Sequence, residues 1–183
     1  MLLALLLALE TFEERRVDLR DGWRQTGSGW CVEFARPDKL ANRHIRVVAP
    51  GAEKVSINGL TLSRPYDVTG LLGASNELCT DARTASLRVT PMVYIDSARV
   101  RAAENQVEAT VSVRNTLDNT VNVAVALEGQ DLSATATVPP GMTQDVVLRG
   151  SARVGVQVMI LMDKDEEAME GAYRYRTPVT VTR

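Results

Sequence analysis

Three side chains of this sequence have the chemistry to contact a carbohydrate: Trp30, Arg64 and Tyr66. A pyranose ring presents an apolar face that an aromatic side chain can bury, so aromatic residues are natural sugar platforms. Trp30 follows Gly27-Ser28-Gly29 at a predicted loop-to-strand junction, where its indole could be exposed. Arg64 and Tyr66 flank Pro65 in a short predicted loop. We therefore treat these three residues as the candidate carbohydrate-binding set.

Cysteine and histidine are the other residue types with reactive potential. Cys31 and Cys79 could pair as a disulfide across two strands in an oxidising compartment, or remain two small buried thiols. His44 is the single histidine and there is no C-x-x-C, so no usual zinc ligand set can be assembled and we expect no metal and no cofactor. His44 lies beside Arg43 and close to Arg46, and we predict that it is a surface or edge-strand residue. No nucleophile motif surrounds Cys31 or His44.

One acidic cluster, Asp163, Asp165, Glu166 and Glu167, invites a calcium interpretation because hard cations prefer several carboxylates. It lacks the glycine that an EF-hand loop requires at its sixth position, so we predict a solvated turn between the last two strands. Glycoside hydrolysis needs two carboxyl groups that face each other across a cleft. The sequence places no two acids in that relation, so no catalytic residue is predicted.

The charge balance excludes a further class of partner. The chain has 21 Lys and Arg against 23 Asp and Glu, for a net charge of −2, and the basic residues are scattered. The sequence therefore lacks a polybasic stripe, and nucleic-acid binding is not predicted. A bias towards Val, Thr and Ala, with 12 Gly and 7 Pro, favours strands joined by tight turns.

The elements that must position these side chains are mostly short strands. Asn58-Gly59 is the strongest hairpin signal in the chain, because both residues tolerate positive φ. Asp67 precedes Val68 to Leu72 and could cap a single helical turn there. Beyond Pro91 the apolar residues alternate with polar ones, which is the period of a half-buried antiparallel sheet. Seven short strands in about 90 residues are typical of an immunoglobulin-like sandwich.

The amino-terminal residues 1–16 differ from the rest. Residues 1–9 are wholly apolar, but a membrane span needs about 20 apolar residues, so no spanning segment is predicted. We predict that residues 1–16 are helical, and two interpretations stay open: the apolar core of a secretory signal, or the start of an amphipathic helix. We favour export, which predicts a secreted or periplasmic protein, with a cytoplasmic location as the alternative.

Several collinear motifs resemble one enzyme family. The segment VSINGLTLSRPYDVTGLLGASNEL (55–78) resembles the sugar-binding-like β-sandwich at the front of family 2 glycoside hydrolases, the β-galactosidase and β-glucuronidase type. VDLRDGWR (17–24) resembles its opening strand, and MVYIDSARVR (92–101) with VEATVSVRN (107–115) resembles the entry to the following immunoglobulin-like domain. The resemblance implies an all-β protein with a compact jelly-roll, galactose-binding-like sandwich over 17–91 and an immunoglobulin-like sandwich over 92–183.

The resemblance also limits the expected activity. The chain stops at Arg183, about where the catalytic barrel would begin in the family, so no catalytic glutamate is transferred to any position here. We predict a non-catalytic accessory module that binds carbohydrate or a partner protein. The alternatives are a structural or interaction protein that kept the fold and lost the sugar site, or the front of a longer family 2 enzyme. The oligomeric state stays open.

Overall fold

The computed structural model describes residues 10–38, 43–164 and 173–182, and these residues form strands, turns and loops without a helix. The predicted all-β class is confirmed. In chain order the strands are β1 (Glu10–Glu13), β2 (Arg15–Leu19), β3 (Arg24–Thr26), β4 (Gly29–Ala35), β5 (His44–Val48), β6 (Val55–Ile57), β7 (Leu60–Thr61), β8 (Ser75–Thr80), β9 (Ala85–Thr90), β10 (Val93–Ala103), β11 (Gln106–Asn115), β12 (Val121–Leu127), β13 (Ser133–Val138), β14 (Thr143–Ser151), β15 (Gln157–Lys164) and β16 (Tyr173–Thr182).

The described residues divide into two compact units, residues 14–90 and residues 10–13 together with 91–182. The first unit is a sandwich of a three-stranded sheet, in the order β2-β9-β5, and a five-stranded sheet, in the order β3-β4-β8-β6-β7. Its core lies between these sheets, and Val32, Ile57, Leu78 and Leu87 are nearly or fully inaccessible to solvent. Both sheets are antiparallel, as the alternating pattern predicts.

The second unit is a sandwich of seven strands, β10 to β16, to which β1 is added. Residues 173–180 of β16 pair with β15, while Val181 and Thr182 pair with β10, so this strand passes from one sheet to the other. Alternate residues of β11 and β12 are buried, which confirms the period-two prediction. The hydroxyl of Tyr173 donates to the carbonyl of Val93 (2.7 Å) and accepts from its N–H (3.0 Å).

The predicted amino-terminal helix is wrong over residues 10–16. Glu10–Glu13 forms β1, which pairs in parallel with β16, and Arg15 begins β2. Phe12 supplies the reason: its ring packs edge-to-face on Tyr173, with centroids 5.2 Å apart, and contacts the second core. Residues 1–9, on which the export prediction rests, lie outside the described residues. Within the described residues, there is no helix with the length and apolar character needed to cross a bilayer.

The two predicted turn signals adopt the expected geometry. Asn58 and Gly59 both have positive φ, 50° and 80°, and join β6 to β7. The Asp67 carboxylate accepts the backbone N–H of Thr69 at 2.8 Å, as a capping residue does. The residues that follow form a hydrogen-bonded turn, in which the Leu71 N–H donates to the Val68 carbonyl, without becoming a helix.

His44 lies on β5, an edge strand of its sheet, which is one of the two predicted alternatives, but its side chain is buried in the first sandwich and not at the surface. Its Nε2 lies 3.0 Å from a carboxylate oxygen of Asp67, and this contact explains why a histidine is tolerated at the start of β5. Burial alone would raise the pKa of Asp67. Hydrogen bonds from Thr69 and the positive charge of His44 outweigh it and hold the pKa below its ordinary value of 3.8.

This depressed pKa predicts an acid-dependent contribution to stability. Asp67 stabilises the first sandwich at pH values above 3.8, and the contribution is lost as the pH falls through the lower folded-state pKa. We expect less than about 1 kcal/mol, because the carboxylate is half exposed and screened by solvent. Urea unfolding of wild type and Asp67→Asn between pH 6 and pH 2 measures it, with the exposed Asp118→Asn as control. Superimposable profiles for wild type and Asp67→Asn would contradict the assignment.

Candidate carbohydrate site

The topology of the first sandwich brings the three candidate residues to one end of the unit. β8 runs antiparallel to β4 and to β6, so the start of β4, the end of β8 and the start of β6 coincide there. The connection between β5 and β6 (residues 49–54) and the turn between β8 and β9 (residues 81–84) therefore lie at the same end. We call it the loop end, and the chain after β7, which carries Arg64 and Tyr66, also reaches it.

Trp30 is partly exposed at the start of β4. Alternation along the strand puts it on the same face as the buried Val32, at the margin of the core. The guanidinium carbon of Arg83 lies 4.8 Å from the centre of the indole, in a cation–π contact that fixes the ring orientation. The contact between Arg83 and Trp30 cannot be predicted from the sequence, because only the pairing of β4 with β8 brings the two residues together.

Arg64 and Tyr66 have mainly internal contacts. The Arg64 guanidinium and the Tyr66 hydroxyl both donate to the carbonyl of Ala52, at 2.8 and 3.2 Å. Tyr66 is buried with positive φ (59°), and the Arg64 guanidinium carbon lies 5.6 Å from its ring centre. Their main effect is to hold the loop that contains Ala52, while Arg64 keeps an exposed surface.

The same loop is held from its other side by Asp81, which the sequence analysis missed. The Asp81 carboxylate accepts the backbone N–H groups of Glu53 and Lys54 at 3.0 to 3.2 Å. Desolvation would raise the pKa of Asp81, but these hydrogen bonds outweigh it and lower the pKa below its ordinary range. Asp81 is therefore an ionised hydrogen-bond acceptor at neutral pH.

An open depression of about 410 Å³ lies at the loop end. Trp30 and the backbone of Gly29 contribute to its wall, and Cys31 and Cys79 lie beneath it, joined as a disulfide. Its charged lining groups are Lys54 and Asp81, which are opposite in sign. Val55 and five residues with hydroxyl side chains complete the lining: Thr26, Ser28, Ser56, Thr61 and Thr80.

Two glutamates that sequence analysis did not bring together are neighbours beside this disulfide. Glu33 and Glu77 lie directly opposite each other on β4 and β8, and both contact the guanidinium of Arg24. All three side chains are exposed. A ligand-atom cluster of Cys31, Glu77 and Cys79 also exists, but the bonded sulfurs offer no thiolate to a metal.

Gly29 is required by the close approach of β4 to the end of β8. A Cβ at this position would lie 2.5 Å from the backbone carbonyl oxygen of Thr80, whereas a Cβ at Gly27 would meet nothing within 4 Å. We expect Gly29→Ala to destabilise the first sandwich by about 2 kcal/mol, because backbone must move to relieve the contact. Gly27→Ala is the matched control and should change stability by less than about 0.5 kcal/mol. Chemical denaturation measures both, and equal losses would refute the steric explanation.

The fold and the loop end define a class of protein: an all-β chain of two sandwiches in which the first carries an open surface depression. No family model matches the sequence, and no curated protein matches it. Solved structures share the fold, and those most relevant here are glycoside hydrolases.

The chain is similar to a calcium-binding mutant of Bacteroides uniformis β-glucuronidase 2, with a TM-score of 0.62 and 9% identity over 90% of this chain and 32% of that one. A β-glucuronidase from glycoside hydrolase family 2 gives a TM-score of 0.58 and 12% identity over 90% of this chain and 25% of that one. The exo-chitosanase of Amycolatopsis orientalis, in complex with a p-nitrophenyl glucosaminide, gives a TM-score of 0.57 and 13% identity over 84% of this chain and 25% of that one.

These similarities confirm, at the level of the fold, the resemblance to the front part of family 2 glycoside hydrolases. The chain spans a third or less of the length of each of these three enzymes. The match therefore covers part of each enzyme and extends over nearly all of this chain.

Proposed function

We propose that this protein is a non-catalytic module that binds a neutral carbohydrate in the depression at the loop end. The observation that carries the proposal is a partly exposed tryptophan, oriented by Arg83, in the wall of a depression lined with hydroxyl groups. An aromatic wall buries the apolar face of a sugar, while hydroxyl and charged side chains hydrogen-bond its periphery. In the predicted set, Trp30 would contact the sugar, whereas Arg64 and Tyr66 would hold the loop that contains Ala52.

The charge of the depression supports a neutral ligand. Lys54 and Asp81 are its charged lining groups and have opposite charges, and the nearby Arg83 guanidinium is engaged with the Trp30 ring, so the lining itself has no net charge to attract an acidic sugar. Both groups can hydrogen-bond sugar hydroxyls, Lys54 as a donor and Asp81 as an acceptor. We therefore expect a preference for uncharged polysaccharides over uronates.

The positions of Asp81, Glu33 and Glu77 in the first sandwich support a non-catalytic role. A glycosidase requires one carboxyl group that is protonated near neutral pH to act as the general acid. Asp81 is held ionised by two backbone N–H groups, and Glu33 and Glu77 lie side by side on an exposed sheet face around Arg24. Neither arrangement surrounds a glycosidic bond on two sides. Turnover of chromogenic glycosides that disappears in Glu33→Gln or Glu77→Gln would overturn this part of the proposal.

The binding experiment uses the two tryptophans of the chain as reporters. In Trp23→Phe, Trp30 is the sole tryptophan, and addition of neutral oligosaccharides should shift its emission. Affinity electrophoresis in gels that contain a neutral polysaccharide then compares wild type with Trp30→Ala, for which we expect about tenfold weaker retardation, or roughly 1.4 kcal/mol. Lys54→Met should weaken retardation by a smaller factor.

Two controls separate binding from stability. Leu71→Ala removes an exposed apolar side chain from the first sandwich outside the depression lining and should leave retardation unchanged. Trp30→Phe keeps an aromatic ring and should retain most of the affinity. Equal retardation of wild type and Trp30→Ala in every gel would exclude the site.

A second candidate function, a structural or interaction module, is favoured by a different observation. Met142, Val147 and Val156 on the second sandwich have 45 to 75% of their surface exposed. Exposed apolar side chains mark a protein-interaction surface where they form one contiguous patch. Sedimentation of wild type and of Val147→Lys tests self-association: a monomer in both cases excludes a second copy as the partner.

We also propose that the protein functions in an oxidising compartment, outside the cytoplasm. The Cys31–Cys79 disulfide supports this location, since such bonds persist mainly in secreted and periplasmic proteins. Fractionation of the expressing cell tests this location. Recovery of the native protein only in the cytoplasmic fraction would contradict it.

A further inference from the structure

The outer face of β10, β11 and β14 in the second sandwich carries a concentration of arginine. Pairing of the three strands aligns Arg101 with Glu108 and Arg149 in one row, and Arg99 with Thr110 in the next. Two adjoining shallow depressions, of about 300 and 670 Å³, open on this face, and Arg99, Arg101 and Glu108 line both. We call this surface the arginine face.

Its charges are not balanced internally. The Glu108 carboxylate accepts a hydrogen bond from the Arg149 Nε at 2.7 Å, and Arg149 thereby neutralises the one carboxylate that lines the depressions among the described residues. Arg99 and Arg101 are exposed, and neither forms an ion pair with any residue in the described part of the chain. Two residues apart on one strand, their Cα atoms are about 7 Å from each other, with both side chains on the same face.

Uncharged hydrogen-bonding groups surround the two arginines. Ser97 and Thr110 line the smaller depression, and Gln106 and Thr182 line the larger one. Guanidinium groups bind carboxylates and sulfates through paired N–H donors, and hydroxyl and amide side chains can hydrogen-bond sugar hydroxyls between them.

We propose that the arginine face binds an acidic polysaccharide, with Arg99 and Arg101 each contacting a carboxylate or sulfate group. This site lies on the second sandwich and takes an anionic ligand, whereas the depression at the loop end of the first sandwich takes a neutral one, so it stands independently of the function proposed above. A nucleic acid is a poorer fit, because among the described residues no aromatic side chain lines the two depressions to stack on a base.

The experiment measures retention of the full chain on immobilised heparin, the sulfated probe, in a salt gradient. We expect Arg99→Ala/Arg101→Ala to bind about tenfold more weakly and to elute at lower salt. The control Arg20→Ala/Arg153→Ala removes the same two charges from exposed positions elsewhere and should bind within about twofold of wild type. Glu108→Gln removes the neutralising carboxylate and should bind about twofold more tightly, a gain that a folding defect cannot produce.

Three results would overturn the proposal. The first is wild-type protein that does not bind heparin at low salt. The second is equal loss of affinity in the two double variants, which would assign retention to overall charge. The third is tighter binding to a single-stranded oligonucleotide than to heparin. Trp30→Ala should retain its heparin affinity, so failure of the neutral-sugar site and failure of the arginine face give different outcomes.

Discussion

Reduction of the Cys31–Cys79 disulfide is expected to lower the free energy of unfolding of the first sandwich by about 4 kcal/mol. The bond closes a loop of 48 residues, which contains β5, β6 and β7, and opening it restores conformational freedom mainly to the unfolded chain. A unit of 77 residues has little stability to lose, since small domains are stable by only about 5 to 15 kcal/mol. The first sandwich should therefore be marginal when reduced.

Differential scanning calorimetry with and without a phosphine reductant measures this effect. The second sandwich contains no cysteine, so its transition serves as an internal control and should stay in place. Cys31→Ala/Cys79→Ala should reproduce the reduced profile, and the reductant should then have no further effect. Unchanged transitions in the presence of the reductant, with free thiols verified chemically, would refute the expected contribution.

The second large effect is expected at Asn115, a buried polar residue at the end of β11. Its amide N–H₂ donates to the carbonyls of Asn119, Val138 and Pro139 at 2.8 to 3.2 Å, and its amide oxygen accepts the Leu117 N–H at 2.9 Å. One side chain thus satisfies backbone groups of two separate turns. We expect Asn115→Ala to destabilise the second sandwich by about 3 kcal/mol, because these groups lose their partners and a cavity opens.

Asn119→Ala is the control for this substitution. Asn119 belongs to the same turn, and its amide makes one long contact of 3.4 Å to the Thr120 carbonyl, so the change should stay within about 0.5 kcal/mol. Urea denaturation of both variants gives the comparison. A loss of less than about 1 kcal/mol for Asn115→Ala would mean that water replaces the amide at both turns.

Local patterns were sufficient to predict the strands and tight turns. The alternation in β11 and β12 fixes which face is buried, and Asn58-Gly59 requires the positive φ values of its turn, because these features depend on residues close in sequence. The prediction of an amino-terminal helix is wrong for the opposite reason, because this segment depends on a residue distant in sequence. Phe12 is held by Tyr173, more than 150 positions away, and tertiary contact overrides local preference at a chain segment of this length.

The candidate site was predictable only in part. The glycine-rich segment before Trp30 predicts that its indole is exposed, and the structure places Trp30 in the wall of the depression. The roles of Arg83 and Asp81 depend on the pairing of β4 with β8 and of β8 with β6, which no short motif encodes. Tyr66 lies in the predicted loop and His44 on an edge strand, but no local signal predicts their burial, which hydrogen bonds to Ala52 and Asp67 allow.

The parallel pairing of β1 with β16 has a consequence for how the protein is made and dissected. The first sandwich is an insertion in the sequence of the second, because residues 10–13 belong to one unit, residues 14–90 to the other, and the chain then returns. During synthesis the inserted unit can fold as soon as it leaves the ribosome. β1 cannot pair until β16, which is translated more than 150 residues later, has been made. Expression of residues 92–183 alone would therefore yield a sandwich that lacks a native strand, with the matching stretch of β16 open to pairing with a foreign chain.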